Sequence, residues 1–294
     1  MRRAFKSIMA VTVLLLVLVS VLPGCERQVT FTDGTGRPVT LKGVPKRIVS
    51  LNPAHTETLF ALGLGDKVVG VDNYSYWPAE AQKKEKVGDA FNLNLEKLVA
   101  LKPDLVVLAG SKDRPPSQLK DMERLGIPAY VSGPSTVKEV LTEIEALSKV
   151  VGAEKQGKDL VAKMQKELDA VAQAVPKDAR PKVFFAVDGD LWTVGPGSFI
   201  NDIISTAGGQ NVIQDVKQQY LQVSMEDLLV RDPDVILVAI PKDQAVSLTS
   251  RPGWSNLRAV RTGKVFFVNP DLTSRPGPSL AGGVKEVASY LKGK

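Results

Sequence analysis

One fifteen-residue pattern occurs twice in this chain, 130 positions apart, as NLEKLVALKPDLVVL (residues 94–108) and SMEDLLVRDPDVILV (residues 224–238). Glu96 lies over Glu226, Pro103 over Pro233 and Asp104 over Asp234. Each copy reads as a helix, a proline–aspartate break and a buried apolar strand, so one helix–turn–strand unit is used twice. A duplicated unit of this kind predicts two similar α/β lobes.

The surrounding sequence supplies the rest of each lobe. Val29–Leu41 alternates around Asp33, Gly34 and Gly36 and predicts a hairpin. Arg47–Leu51, Val68–Val71, Leu105–Ala109 and Ala129–Val131 read as strands, separated by helical runs after Pro53, over Leu95–Leu101 and over Ser117–Leu125. Alternation of this sort implies parallel layers. From Thr136 to Ala174 the pattern becomes helical without proline, interrupted near Gly152. The alternation then resumes through Lys182–Val187, Phe199–Thr206, Val235–Ile240 and Val265–Val268, and ends in a helix near Leu280–Leu291. The expected fold is α/β: two Rossmann-like lobes joined by a single long rigid helix, a strut that permits rocking rather than wide closure. The divisions are a leader over 1–24, an N-terminal segment and hairpin over 25–44, an N-terminal lobe over 45–135, a linking helical segment over 136–176 and a C-terminal lobe over 177–294.

The leader has its own signature. Arg2, Arg3 and Lys6 precede an apolar run from Ile8 to Leu22, broken only by Thr12 and Ser20. That run is shorter than the ~20 residues of a membrane-spanning helix and fits a secretory signal. Leu22-Pro23-Gly24-Cys25 follows and resembles the bacterial lipoprotein box, whose cysteine is acylated and becomes the mature N-terminus. Cys25 is the only cysteine, so internal disulfides are excluded and the expected product is a lipid-tethered extracytoplasmic protein.

Composition narrows the function. The chain carries 38 Lys and Arg against 32 Asp and Glu. Setting aside the three cations of the leader leaves 35 against 32, too small a surplus and too scattered to point to nucleic acid. One histidine and one cysteine among 294 residues leave little for a zinc site or a Cys–His nucleophile. Neither GxxxxGK[ST] nor G-x-S-x-G is present, so Gly195–Ser198 reads as a turn opening a helix rather than a phosphate loop or a nucleophile elbow. These features favour binding over catalysis.

Five segments together resemble the class III substrate-binding proteins of ABC importers: TDGTGRPVTL (32–41), PKRIVSLNPAHTETLFALGLGDKVVGV (45–71), NLEKLVALKPDLVV (94–107), SMEDLLVRDPDVILV (224–238) and PGWSNLRAVRTGKVFFVNPD (252–271). The resemblance implies a ligand cleft between the lobes, no catalytic cofactor and a permease dimer as partner. YSYWPAEAQKKEKV (74–87), ahead of the first repeat copy, is most similar to the cobalamin-binding branch and implies a corrinoid ligand. A ferric siderophore or haem remains the alternative within the class. An extracytoplasmic hydrolase and a non-transport scaffold lipoprotein are the alternatives outside it.

The resemblance also implies site residues. Glu96 and Glu226 correspond to the two carboxylates that dock into arginine pockets of the permease, where a carboxylate meeting an arginine fork makes short bidentate bonds. A cleft at strand ends nominates His55, Tyr74, Trp77 and Phe91 in the first lobe, and Trp192, Tyr220, Asp271 and Arg275 in the second. Aromatic faces suit a large flat ring, and Arg275 suits a ligand carboxylate or a loop salt bridge. His55 reads either as an axial ligand to a bound metal or as a helix-start residue exposed at the cleft rim. No resident metal is expected, and the chain is expected to be monomeric. Trp254 reads as packing, and Lys83–Lys86 as a solvated face.

Overall fold

The computed structural model describes residues 28–175 and 180–292. The chain begins with an antiparallel hairpin, β1 (Gln28–Thr32) and β2 (Pro38–Lys42), closed by a turn in which Asp33 accepts from Thr35 and Arg37. The first lobe then runs β3 (Ile48–Ser50), α1 (Pro53–Ala61), β4 (Val68–Val71), β5 (Glu85–Lys86), α2 (Leu95–Ala100), β6 (Leu105–Ala109), α3 (Leu119–Leu125) and β7 (Ala129–Ser132). Its sheet has the order β5-β4-β3-β6-β7, every pair parallel. The central strands are almost wholly buried, as their unbroken Val, Ile and Leu runs require of a sheet covered on both faces. Of the expected solvated face at Lys83–Lys86, Lys83 and Glu85 are exposed, whereas Lys84 and Lys86 are half-buried; Glu85 and Lys86 form the edge strand, and Lys86 Nζ donates to the carbonyls of Asp72 and Ser75.

Two helices link the lobes. Thr136 caps α4 (Val137–Val150), and after a break at Gly152 the chain continues as α5 (Glu154–Ala174). Val137, Val140, Leu141 and Ile144 of α4 pack into the core of the second lobe, while Leu147 and Val150 pack into that of the first. In α5 the order reverses. Leu160 touches both cores, and Met164, Leu168 and Val171 lie in that of the second lobe. The expected single strut is therefore α5, with α4 packed against it and spanning the same junction. At 21 residues α5 reaches about 32 Å.

The second lobe comprises β8 (Lys182–Ala186), β9 (Trp192–Val194), α6 (Phe199–Thr206), β10 (Gln210–Asn211), β11 (Tyr220–Gln222), α7 (Met225–Arg231), β12 (Val235–Val238), α8 (Val246–Thr249), α9 (Arg258–Arg261), β13 (Val265–Phe267), α10 (Pro270–Thr273) and α11 (Leu280–Leu291). Its parallel sheet has the order β10-β8-β12-β13, and β9 and β11 form a separate antiparallel ribbon. Ser198 caps α6, as the turn reading of Gly195–Ser198 implied, and Trp254 is buried in the core.

The repeat holds down to backbone conformation. Asn94 and Ser224 cap α2 and α7, Leu98 and Leu228 are fully buried beneath them, and both helices run into a non-glycine residue with positive φ, Lys102 at 45° and Asp232 at 42°. Asp104 then accepts from the backbone N–H of Lys46 and Arg47, and Asp234 from that of Lys182. The shared aspartate thus ties the start of one strand to the chain entering its neighbour.

Candidate functional site

In an open parallel sheet the ligand crevice forms outside the carboxyl ends of strands, where the strand order reverses. In the first lobe that point lies between β3 and β6. A cavity of about 420 Å³ sits there, lined among others by Asn52, Tyr74, Phe91, Ala109 and Gln118. Asn52 caps α1 through its side chain, and Gln118 reaches Ala90, so both lining groups are held by the backbone they stabilise. Gly110, just beyond, has no room for a side chain: a Cβ would stand 2.5 Å from Pro116 and 3.1 Å from Val131.

Tyr74 and Phe91 line this opening from loops rather than from the sheet, and Trp77 lies outside its lining. Tyr74 and Trp77 follow β4 and are 59% and 55% exposed; Phe91, between β5 and α2, is 91% exposed. The Phe91 loop is ordered by Asp89, which accepts from the N–H of Phe91 and Asn92, bonds that hold the carboxyl below its usual range. A larger groove of about 620 Å³ between the hairpin, β7 and α4 holds Tyr130 and Glu143, without aromatic rings turned outward.

The second lobe answers with its antiparallel ribbon. Val194 faces Tyr220 and Trp192 faces Gln222, a register that puts Trp192 and Tyr220 on one face. Both are over 40% exposed. Burial raises the Tyr220 phenol, and the guanidinium of Arg114 on the first lobe opposes that shift.

One expectation is corrected, and of the two readings of Arg275 the loop salt bridge is the one present. His55, in the first turn of α1, is only 4% exposed rather than at the rim, and burial alone lowers its imidazole to about 4. Its Nδ1 is buried without a partner. Arg275 does not stand free for a ligand carboxylate: its Nη2 lies 2.9 Å from Asp271 Oδ1, and its side chain is 13% exposed. Asp271 is engaged twice, since Tyr76 also donates its hydroxyl to Oδ1 at 2.6 Å. Tyr76 was absent from the residues nominated by sequence, although it alternates with Tyr74 in the same motif.

Glu96 and Glu226 occupy matched positions in the first turns of α2 and α7, both exposed. Ser224 and the backbone N–H of Glu226 hold the second carboxyl below its usual range. Cys25 and the leader lie outside the described residues. Among the described residues there is no cluster of three metal-ligating side chains and no helix long and apolar enough to cross a membrane.

The model of the periplasmic binding protein family matches residues 48–272, spanning both lobes and their junction. The chain belongs to this family. An uncharacterized ABC transporter substrate-binding lipoprotein of Bacillus subtilis is 38% identical over 270 residues, covering 90% of this chain and 85% of that one. The vitamin B12-binding protein of Vibrio cholerae is 32% identical over 250 residues, 84% of this chain and 89% of the relative. The crystal structure of the periplasmic vitamin B12-binding protein of that species superposes with a TM-score of 0.75 over 84% of this chain and 97% of its own. The periplasmic haem-binding protein of Roseiflexus superposes with a TM-score of 0.73 at 25% identity, over 84% and 97% of the two chains. This periplasmic binding protein is therefore an extracytoplasmic substrate-binding component of an ABC transporter, and its work is capture rather than catalysis.

Proposed function

We propose that this binding protein captures a corrinoid between its lobes and presents it to an importer while tethered by lipid at Cys25. The observation that carries this reading is the set of exposed aromatic side chains, Tyr74, Trp77 and Phe91 from one lobe and Trp192 and Tyr220 from the other, at the strand ends where an α/β sheet receives ligands. Exposed rings of this size are costly in water unless a ligand covers them, and a corrin ring bearing amides offers both flat apolar area and hydrogen-bonding groups. The relative from Vibrio cholerae lends support by name. A haem-binding fold neighbour makes haem the second reading.

Calorimetric titration of the full chain in detergent with cyanocobalamin, cobinamide, haemin and ferric siderophores tests it. One-to-one binding of the corrinoids alone is expected. Haemin or siderophore binding in their place keeps the transport role and discards the corrinoid.

Glu96 and Glu226 are the proposed docking carboxylates. Two matched acids on matched helices suit a partner built of two equivalent subunits. Replacing both with alanine is expected to leave ligand affinity intact and abolish uptake; uptake that persists removes them from docking.

A further inference from the structure

Outside the helix pair, two groups of side chains among the described residues join the lobes. In the first, the Tyr76 hydroxyl donates to Asp271 across 195 positions of sequence, Asp271 pairs with Arg275, and the Arg275 guanidinium carbon lies 4.4 Å from the centroid of the Tyr76 ring. In the second, Ser279 Oγ donates to Glu57 on α1, and a Cβ on Gly277 would already touch Ala54 O and Glu57 Oε2 at 3.3 Å. Tyr76 follows β4 and Asp271 lies on α10, just beyond β13, so the first group connects the carboxyl ends of the two sheets.

We infer that Tyr76 and Asp271 form a clasp across one side of the cleft that occupies Arg275, and so disfavours ring ligands bearing carboxylates relative to rings bearing amides. The selectivity part rests on the proposed ring-ligand function; the clasp itself does not.

The chemistry supports this in three steps. A free guanidinium is the best protein partner for a carboxylate, through two parallel short bonds. Here Arg275 is engaged at its edge by Asp271 and at its face by the Tyr76 ring. A propionate entering from solvent would have to displace a carboxylate held four residues away on the same chain, and would leave the Tyr76 hydroxyl without its acceptor. An amide group requires no such exchange. Asp89, which lines the aromatic opening and is held in its ionised form, also disfavours an anion on the first lobe.

The test uses the full chain in detergent. Asp271→Asn removes the charge that masks Arg275 while keeping the side-chain shape, and Tyr76→Phe removes the interlobe bond while keeping the ring. Asp271→Asn is expected to shift the ratio of haemin to cyanocobalamin affinity at least fivefold toward haemin, and adding Arg275→Ala is expected to reverse that gain. Pulsed EPR between nitroxides at Lys120→Cys and Lys242→Cys reads the lobes directly. Tyr76→Phe is expected to broaden the interlobe distance distribution, with thermal melts confirming that each variant folds. An unchanged affinity ratio overturns the masking of Arg275, and an unchanged distance distribution overturns the clasp. A wild-type chain that binds neither ring overturns the ring-ligand function and the selectivity with it, while the EPR distances still decide the clasp.

Discussion

The two copies of the helix–turn–strand unit share a backbone and differ in how they anchor it. In the first lobe the turn is tied by backbone groups: Asp104 accepts from the N–H of Lys46 and Arg47, and Arg47 Nε donates to the carbonyl of Leu101. In the second lobe the corresponding turn is a charge network, with Arg258 spanning Asp232 and Asp234 at 2.7 and 2.8 Å. Both copies nevertheless put a non-glycine residue in the left-handed region at the same place. The architecture thus demands a buried leucine, a left-handed residue and an aspartate clamp; the cation that completes the turn is free to come from elsewhere.

The largest expected effect tests the shared part. Leu98→Ala and Leu228→Ala should each cost about 2–5 kcal/mol, because both leucines are fully buried and the sheets beneath them cannot collapse into the void. Denaturant unfolding measures this, and a cost confined to one copy would break the equivalence.

Titration probes two sites of the first lobe next, His55 on α1 and Glu143 facing Tyr130 of β7. His55 is held near 4, so its contribution to stability is present above the ordinary histidine value of 6.5 and is lost as pH falls toward 4, by up to about 3 kcal/mol. Glu143 on α4 has the opposite sign. Burial pushes its carboxyl up to about 7, so its contribution is present below the ordinary value of 4.5 and is lost as pH rises through 7. The two act over nearly the same window with opposite slopes and offset each other in the wild type, so between pH 4 and 7 the unfolding free energy should fall with rising pH in His55→Gln and rise with pH in Glu143→Gln, each relative to the wild type. Hydrogen exchange should place the acid-side loss in the first lobe, where His55 sits.

The aspartate clamps come third. Asp104→Ala strands two backbone donors and should cost roughly 1–3 kcal/mol. Asp234→Ala strands one, at Lys182, and leaves Arg258 still paired with Asp232, so its cost in the same unfolding assay should be smaller.

The smallest effect is the sharpest discriminator. Lys102→Gly relieves the left-handed strain and should stabilise by up to about 1 kcal/mol. Asp232→Gly relieves the same strain but removes the acid that Arg258 grips, so the gain should vanish. Equal gains in thermal melts would show the charge network to be idle.

The sequence was most legible where a local rule was enough. The repeat marked both helix–turn–strand units, alternation marked the parallel strands, and the break at Gly152 separated the two linking helices. Edge elements were harder to read: Glu85–Lys86 is a two-residue strand with no apolar signal, and the ribbon of β9 and β11 is stabilised by pairing across a gap of more than 20 residues. Among the nominated cleft residues, the exposed aromatics could be chosen from type and position. The state of the charged ones could not.

By itself, the sequence determined the α/β class, the duplication, the caps and turns, and which aromatic residues follow strand ends, because these depend on periodicity and on neighbours a few positions apart. Only the tertiary structure decided that His55 is buried, that Arg275 is already held, and that Tyr76 and Glu57 cross to the other lobe. The two crossings depend on pairs of groups 195 and 222 positions apart, whereas Arg275 is held by Asp271 only four positions away. The solvation and charge of each such group are set by the partner that folding brings to it, and no local pattern carries that information.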